Sequence, residues 1–216
     1  MDEEDMDDSD VDPVLRSRVE EAFRSTGMMD DDDDDDDNGG GGGVPFVTRP
    51  TAEPMRMLDL LRHTAGLTYG FQNRSNVDAA YRESKMENWH GNLDLDGFVA
   101  ALGRLPLEFS PGEGWNYSVA TDVLGAVVER VSGQTLDAFF QTRIFAPLGM
   151  HDTFFAVPED KIDRLTDCYT LVEGKGRVLY DRGEASAWSK QPKLVSGGGG
   201  LVSTALDYHR FCSMLL

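Results

Sequence analysis

Pro111-Gly112-Glu113-Gly114-Trp115-Asn116-Tyr117-Ser118 stands between a turn-rich segment and a long apolar stretch, and its reading decides the fold. Pro111 and Gly112, with Pro106 upstream, enclose a turn that delivers Trp115 to Ser118 to the start of a helix. Downstream, Val119, Val123, Leu124, Val127, Val128 and Val131 recur at helical spacing. Gly133 is a natural stop, so the spacing predicts a helix over 119–131. Thr135 can cap a second helix running to Phe145 and closed by Pro147 and Gly149. Upstream, residues 54–62 read as a helix through Met57, Leu58, Leu60 and Leu61, closing at Gly66 of His63-Thr64-Ala65-Gly66-Leu67. Residues 94–103 give another, with Leu95, Phe98, Val99 and Leu102 apolar. Residues 168–173 and 177–181 flank Gly174-Lys175-Gly176 as a β-hairpin. Finally, Ser196-Gly197-Gly198-Gly199-Gly200-Leu201 leads to Thr204, whose spacing to Asp207 predicts a capping box. The helix it opens carries Leu206, Phe211, Met214 and Leu215.

Charge divides the chain in two. The 216 residues carry 39 acidic and 20 basic groups, a formal net charge of −19. Residues 1–37 hold 18 of the acidic groups and only Arg16, Arg18 and Arg24 against them, a net of −15. Residues 1–43 are therefore expected to be an acidic, largely disordered leader, with a short helix available from Asp12 to Phe23. Asp30 to Asp37 and the glycines that follow read as a solvated loop, because like charges repel and glycine loses the most backbone freedom on ordering. A calcium loop needs spaced ligands and a turn glycine, which an unbroken aspartate run lacks. Residues 44–216 form a near-neutral body. No basic stripe exists to neutralise phosphates, which disfavours nucleic acid as a main partner. No apolar run approaches the length of a membrane span. Cys168 and Cys212 lack Cys-x-x-Cys spacing and partnering histidines, which argues against a disulfide framework or a metal site; two buried thiols are expected. The glycine run has no phosphate-loop lysine, and no cofactor is implied. The acidic start is the opposite of a signal peptide, so a reducing, cytoplasmic setting is the default expectation.

Four strings occur in order: Leu60-Leu61-Arg62-His63-Thr64-Ala65-Gly66-Leu67, the Pro111 to Ser118 string, Leu148-Gly149-Met150-His151-Asp152-Thr153, and Ser196 to Leu201. Together they resemble the serine β-lactamase-related family: class C β-lactamases, penicillin-binding proteins and family VIII-type esterases. The resemblance covers roughly residues 47–216. Asp10-Val11-Asp12-Pro13-Val14 is also similar to the Asp-Asp-Pro-Val that follows the nucleophile helix in such proteins. The implied fold is α+β and β-lactamase/transpeptidase-like, here incomplete: mainly the helical half plus a hairpin, as part of residues 44–216. The apolar helix face at 211–216 agrees, since such a face normally needs further elements to cover it.

The implied chemistry is acyl transfer on a small-molecule ester or amide through an acyl-serine, which requires Ser-x-x-Lys. That spacing puts hydroxyl and amine on one helix face, so the lysine can take the serine's proton. Three positions before Lys85, Lys161, Lys175, Lys190 and Lys193 stand Arg82, Pro158, Val172, Ala187 and Lys190. The family's nucleophile is therefore not in this sequence, nor is its late Lys-Thr-Gly. Tyr117 falls on the family's Tyr-x-Asn position and is the candidate catalytic residue for proton exchange. Val119 replaces the asparagine, which points away from β-lactams and toward esters. Trp115, Ser118, Val119, Gly198 and Gly199 are candidates for the substrate groove. Ser118 has no base beside it in sequence and reads as a helix-start residue; His63 reads as structural. Two functions follow. One is a serine hydrolase whose full-length form cleaves esters or amides. The other is a truncated, non-catalytic relative that binds small acyl compounds or another protein, or an incomplete gene product.

Overall fold

The computed structural model describes residues 46–88, 91 and 93–216. The leader, its expected short helix, the Asp30 to Gly43 loop and the start of the body at Val44 lie outside these residues. The first helix, α1, spans Met57–Leu61. It is shorter than the apolar pattern because Asp59 turns back to accept the Arg56 N–H at 3.0 Å, with Arg56 Nε donating to the same oxygen at 3.1 Å. A helix not anticipated from the sequence, α2, spans Asn76–Ser84. Its start is a capping box made with aspartate: Ser75 Oγ accepts the Asp78 N–H at 3.1 Å and Asp78 accepts the Ser75 N–H at 2.9 Å. Val77, Ala80 and Tyr81 on its inner face are buried.

Two helices match the apolar spacing closely: α3, Leu95–Leu102, capped by Asp94, and α4, Ala120–Ser132, stopped by Gly133 at φ 69°. The helix expected over 135–145 departs from regularity. After α5, Leu136–Phe140, the chain widens into a π turn at Gln141–Phe145 before α6, Ala146–Leu148. Pro147 explains the widening, since its ring excludes a normal bond to the carbonyl four residues back. Thr142 Oγ1 also donates to the Ala138 carbonyl at 2.9 Å.

Helices α1, α3 and α5 pack on α4, which runs through the centre. Leu60, Tyr81, Phe98, Val99, Val119, Val123, Leu136 and Leu194 form the buried core between them. The hairpin forms as expected, with β1, Cys168–Val172, antiparallel to β2, Gly176–Asp181. No third strand or second layer covers it among the described residues, and its side chains are largely exposed. Cys168 is exposed for that reason and Cys212 is half-buried, which corrects the expectation of two buried thiols. The last helix, α7, spans Ala205–Met214. Thr204 caps it as predicted, but Asp207 does not close the box. Its carboxylate instead accepts the Asp152 N–H at 2.7 Å, the Thr153 hydroxyl at 3.1 Å and Arg210 at 2.9 Å.

Candidate active site around Tyr117

The first two strings of the sequence lie side by side. His63 accepts the Asn116 N–H at 2.9 Å, Thr64 accepts Gly112 N–H at 2.9 Å, Gly66 accepts Glu108 N–H at 2.8 Å and Thr68 accepts Val119 N–H at 3.2 Å. Asn116 adds its side-chain amide to the Leu67 carbonyl at 2.9 Å and receives Arg74 on its oxygen. His63 takes a left-handed backbone conformation, φ 57°, where the strand of contacts turns. This scaffold buries two of the three polar side chains before α4 and presents the third. Asn116 and Ser118 are 6% and 1% exposed, whereas Tyr117 is 48% exposed.

Around Tyr117 stands a set of rings. Its ring centroid lies 5.1 Å from His63 and 5.1 Å from Tyr69; Tyr69 stacks on Phe71 at 4.9 Å. Trp115, 68% exposed, meets His63 edge-on at 6.3 Å. Gln72 donates to the Tyr117 carbonyl and holds the loop from outside. Behind Tyr69 is a cleft of about 250 Å³ lined by Tyr69, Phe71, Glu87, Phe98, Val119 and Asp122. Val119 is thus a core residue that also walls this cleft. Ser118 does have a base beside it in space: His63 Nδ1 is 3.2 Å from its hydroxyl. Burial closes that hydroxyl to an incoming carbonyl, and it also accepts the Ala120 N–H at 3.3 Å.

The glycine-rich loop at 196–200 reaches the site through Asp122, one turn into α4. Ser196 Oγ donates to Asp122 Oδ1, and Gly198 N–H donates to the same oxygen at 3.3 Å. A Cβ at Gly198 would lie 2.9 Å from Asp122 Oδ2 and 3.1 Å from the Tyr69 hydroxyl, so only glycine leaves these groups undisturbed. Gly199 follows, half-buried. Burial raises the Asp122 carboxyl above the usual carboxylate range, opposed by its bonds from Ser196 and Gly198. Glu87, which accepts the Gly70 N–H at 2.6 Å, is raised by burial and by the Asp122 charge. Tyr69 is pushed well above an ordinary phenol by burial, then by Asp122, Tyr117 and Glu87. Asp122, Tyr69 and Glu87 were not legible as site residues. The available signal was a carboxylate, Asp122, in the first turn of an otherwise apolar stretch of α4.

Away from Tyr117, the 149–154 turn meets Val202 and the last helix. Phe154 and Val202 exchange backbone bonds at 2.9 Å each, and Arg210 donates to the Gly149 carbonyl at 2.6 Å. Asp152 receives Arg164 at 2.7 Å and Lys161 at 2.8 Å, which hold it well below the usual carboxylate range. Among the described residues no group of three or more His, Cys, Asp or Glu could hold a metal ion, and no helix is long and apolar enough to cross a membrane.

Comparison with known proteins agrees with this arrangement. The Beta-lactamase family model matches residues 42–216, and the chain belongs to the beta-lactamase family. Protein Rv1367c of Mycobacterium tuberculosis is 38% identical over 169 residues, covering 78% of this chain and 40% of that protein. Esterase EstB of Burkholderia gladioli is 41% identical over 165 residues, 70% of this chain and 42% of the esterase. Among solved structures, simvastatin synthase LovD of Aspergillus terreus, in its LovD6 mutant form, superposes with a TM-score of 0.59 at 27% identity, over 75% of this chain and 36% of that one. The hydrolase EstCE1 gives 0.61 at 24% identity, over 94% and 57%. The fold is therefore α+β and β-lactamase/transpeptidase-like, with the described residues holding helices and one hairpin of it. The chain spans about two fifths of the length of these relatives.

Proposed function

We propose that this chain carries the tyrosine side of an acyl-transfer site for short acyl esters. The observation that supports it most directly is selective exposure: Asn116 and Ser118 are buried while Tyr117 between them is half-exposed beside a cleft. In the whole protein a serine hydroxyl attacks the ester carbonyl, the C–O bond breaks, and Tyr117 gives its phenolic proton to the departing alkoxide. The lysine takes the serine's proton on attack and gives it back to the serine as water cleaves the acyl-serine, and that water returns a proton to Tyr117. The serine and its lysine are not in this sequence, so this chain supplies positioning and proton transfer only. Val119 makes the cleft wall apolar. A β-lactam amide facing it would leave polar groups unpaired, costing about 1–3 kcal/mol, or roughly 5- to 150-fold. A small ester has no such amide. Relatives named as esterases, EstB and the lovastatin esterase of Penicillium rubens at 35% identity, support this substrate class.

A hybrid tests the reading: EstB supplies the Ser-x-x-Lys helix and the segments this chain does not contain. Hydrolysis of p-nitrophenyl butyrate is expected to exceed that of nitrocefin, and Tyr117→Phe is expected to lower kcat by about 10²–10⁴. A hybrid that hydrolyses the ester equally well with Tyr117→Phe overturns the role of the tyrosine. A second reading, a non-catalytic binder of small acyl compounds, rests on the cleft being formed without any Ser-x-x-Lys in the chain. Binding of ethyl butyrate by the chain as it stands, with no turnover in the hybrid, selects it.

A further inference from the structure

Among the described residues, Asp122 is the buried carboxyl group that lines the cleft and bonds the 196–200 loop. It is 3% exposed and sits on α4, one turn beyond Val119. From the 196–200 loop, the Ser196 hydroxyl and the Gly198 N–H both donate to its Oδ1. From the other side comes Tyr69, whose hydroxyl and Asp122 Oδ2 converge on the space that a Gly198 side chain would take. Tyr69 thus reaches the Asp122 carboxylate's surroundings with its hydroxyl, while its ring packs 5.1 Å from the Tyr117 ring. Nothing else among these contacts joins the loop, the aromatic set and α4. A buried carboxyl group is costly to hold unless its bonds do something an apolar side chain could not. Here an apolar side chain of similar size would fill the core of α4, yet leave Ser196, Gly198 and Tyr69 without a common partner.

We propose that Asp122 is the positioning residue of this site, fixing the 196–200 loop directly and Tyr117 through Tyr69. The proposal rests on the reading of Tyr117 as the working tyrosine for its functional meaning. Its geometry stands apart from that reading, because it predicts a one-way chain of coupling. Asp122 acts on Tyr117 only by way of Tyr69, and on Gly198 without Tyr69.

The test uses the intact chain with ¹³C at the ring Cζ of its six tyrosines and ¹⁵N on the backbone, the tyrosine signals being assigned by single Tyr→Phe changes. Asp122→Asn is expected to shift both the Tyr117 Cζ signal and the Gly198 amide signal. Tyr69→Phe is expected to shift Tyr117 and leave Gly198. In the double variant Tyr117 is expected to stand where Tyr69→Phe alone places it, because the route is already cut, while Gly198 still moves. A merely structural Asp122 lowers the melting temperature without this pattern. An unmoved Tyr117 in a cooperatively folded Asp122→Asn variant overturns the proposal, as does a double variant whose Tyr117 shift is the sum of the singles. Should Asp122→Asn not fold, two changes to its partners decide. Ser196→Ala must move Gly198 and spare Tyr117, Tyr69→Phe must do the reverse, and failure of either overturns the proposal. Failure of the esterase reading shows elsewhere, as a hybrid enzyme indifferent to Tyr117→Phe with this coupling intact.

Discussion

At the scale of single residues, exposure divides the side chains that share one short loop. Ser118 and His63 have the spacing of a nucleophile and its base, 3.2 Å, yet Ser118 is 1% exposed. The isolated chain is expected to show no saturable hydrolysis of p-nitrophenyl acetate. Ser118→Ala is expected to cost about 0.5–1.5 kcal/mol of stability, read by urea denaturation, through the lost bond to His63. Saturable turnover that Ser118→Ala abolishes would make Ser118 the nucleophile after all. Val119 is equally buried, so Val119→Asn does more than offer an amide to a substrate. It places that amide in the core and is expected to destabilise by about 1–3 kcal/mol, visible as a lower denaturation midpoint at unchanged slope.

Among the elements, the contacts of the strings explain why four short motifs lie so far apart in the chain. Two of them build the scaffold of Tyr117, the Ser196 to Leu201 string bonds to Asp122 of α4, and the Leu148 to Thr153 string is tied to α7. Asp207 is the keystone of that last tie, with its carboxylate serving Asp152, Thr153 and Arg210 rather than the start of its own helix. Thr204→Ala removes one cap and is expected to cost about 1 kcal/mol. Asp207→Ala leaves three donors without their acceptor and is expected to cost clearly more. Equal midpoints for the two variants in urea would mean that Asp207 is only a cap.

For the whole molecule, the buried carboxyl groups set the response to pH. Burial holds Asp122, Glu87 and Glu129 above the usual carboxylate range. They bind protons more tightly folded than unfolded, so their contribution to stability rises as pH falls from 7 toward about 4. At Asp59 and Asp78 burial also pushes upward. Bonds from Arg56 and Thr64 to the first, and from Arg74, Arg82 and Ser75 to the second, outweigh it. Both are held low, and their contribution is lost as pH falls below about 4. The melting temperature is therefore expected to pass through a maximum on the mildly acidic side of neutrality, with the neutral-side slope flattened in Asp122→Asn. A steady fall from pH 7 downward counts against these shifts. Exposed apolar side chains gather elsewhere, at Leu206, Tyr208 and Met214 of α7 and Leu215 just after it, and at Tyr169, Leu171 and Tyr180 of the hairpin. The isolated chain is expected to associate with rising concentration in sedimentation velocity. A sharp monomer at every concentration contradicts that.

Helical spacing and stop signals determined α3 and α4 from the sequence, because burial of one face imposes a period that can be read directly, and the turn Gly174-Lys175-Gly176 marked the hairpin. The order of the four strings determined the family for the same kind of reason, each being a local turn with fixed residue needs. Local patterns could not place α2, whose capping aspartate and short apolar face resemble a loop until Tyr81 finds the core. Nor could they foresee the π turn before Pro147, or the turn of Asp207 away from its own helix. Asp122, Tyr69 and Glu87 entered the site only in three dimensions. Their roles come from partners 17 to 76 positions away in the chain, and only the tertiary structure decides which polar side chains share one buried space.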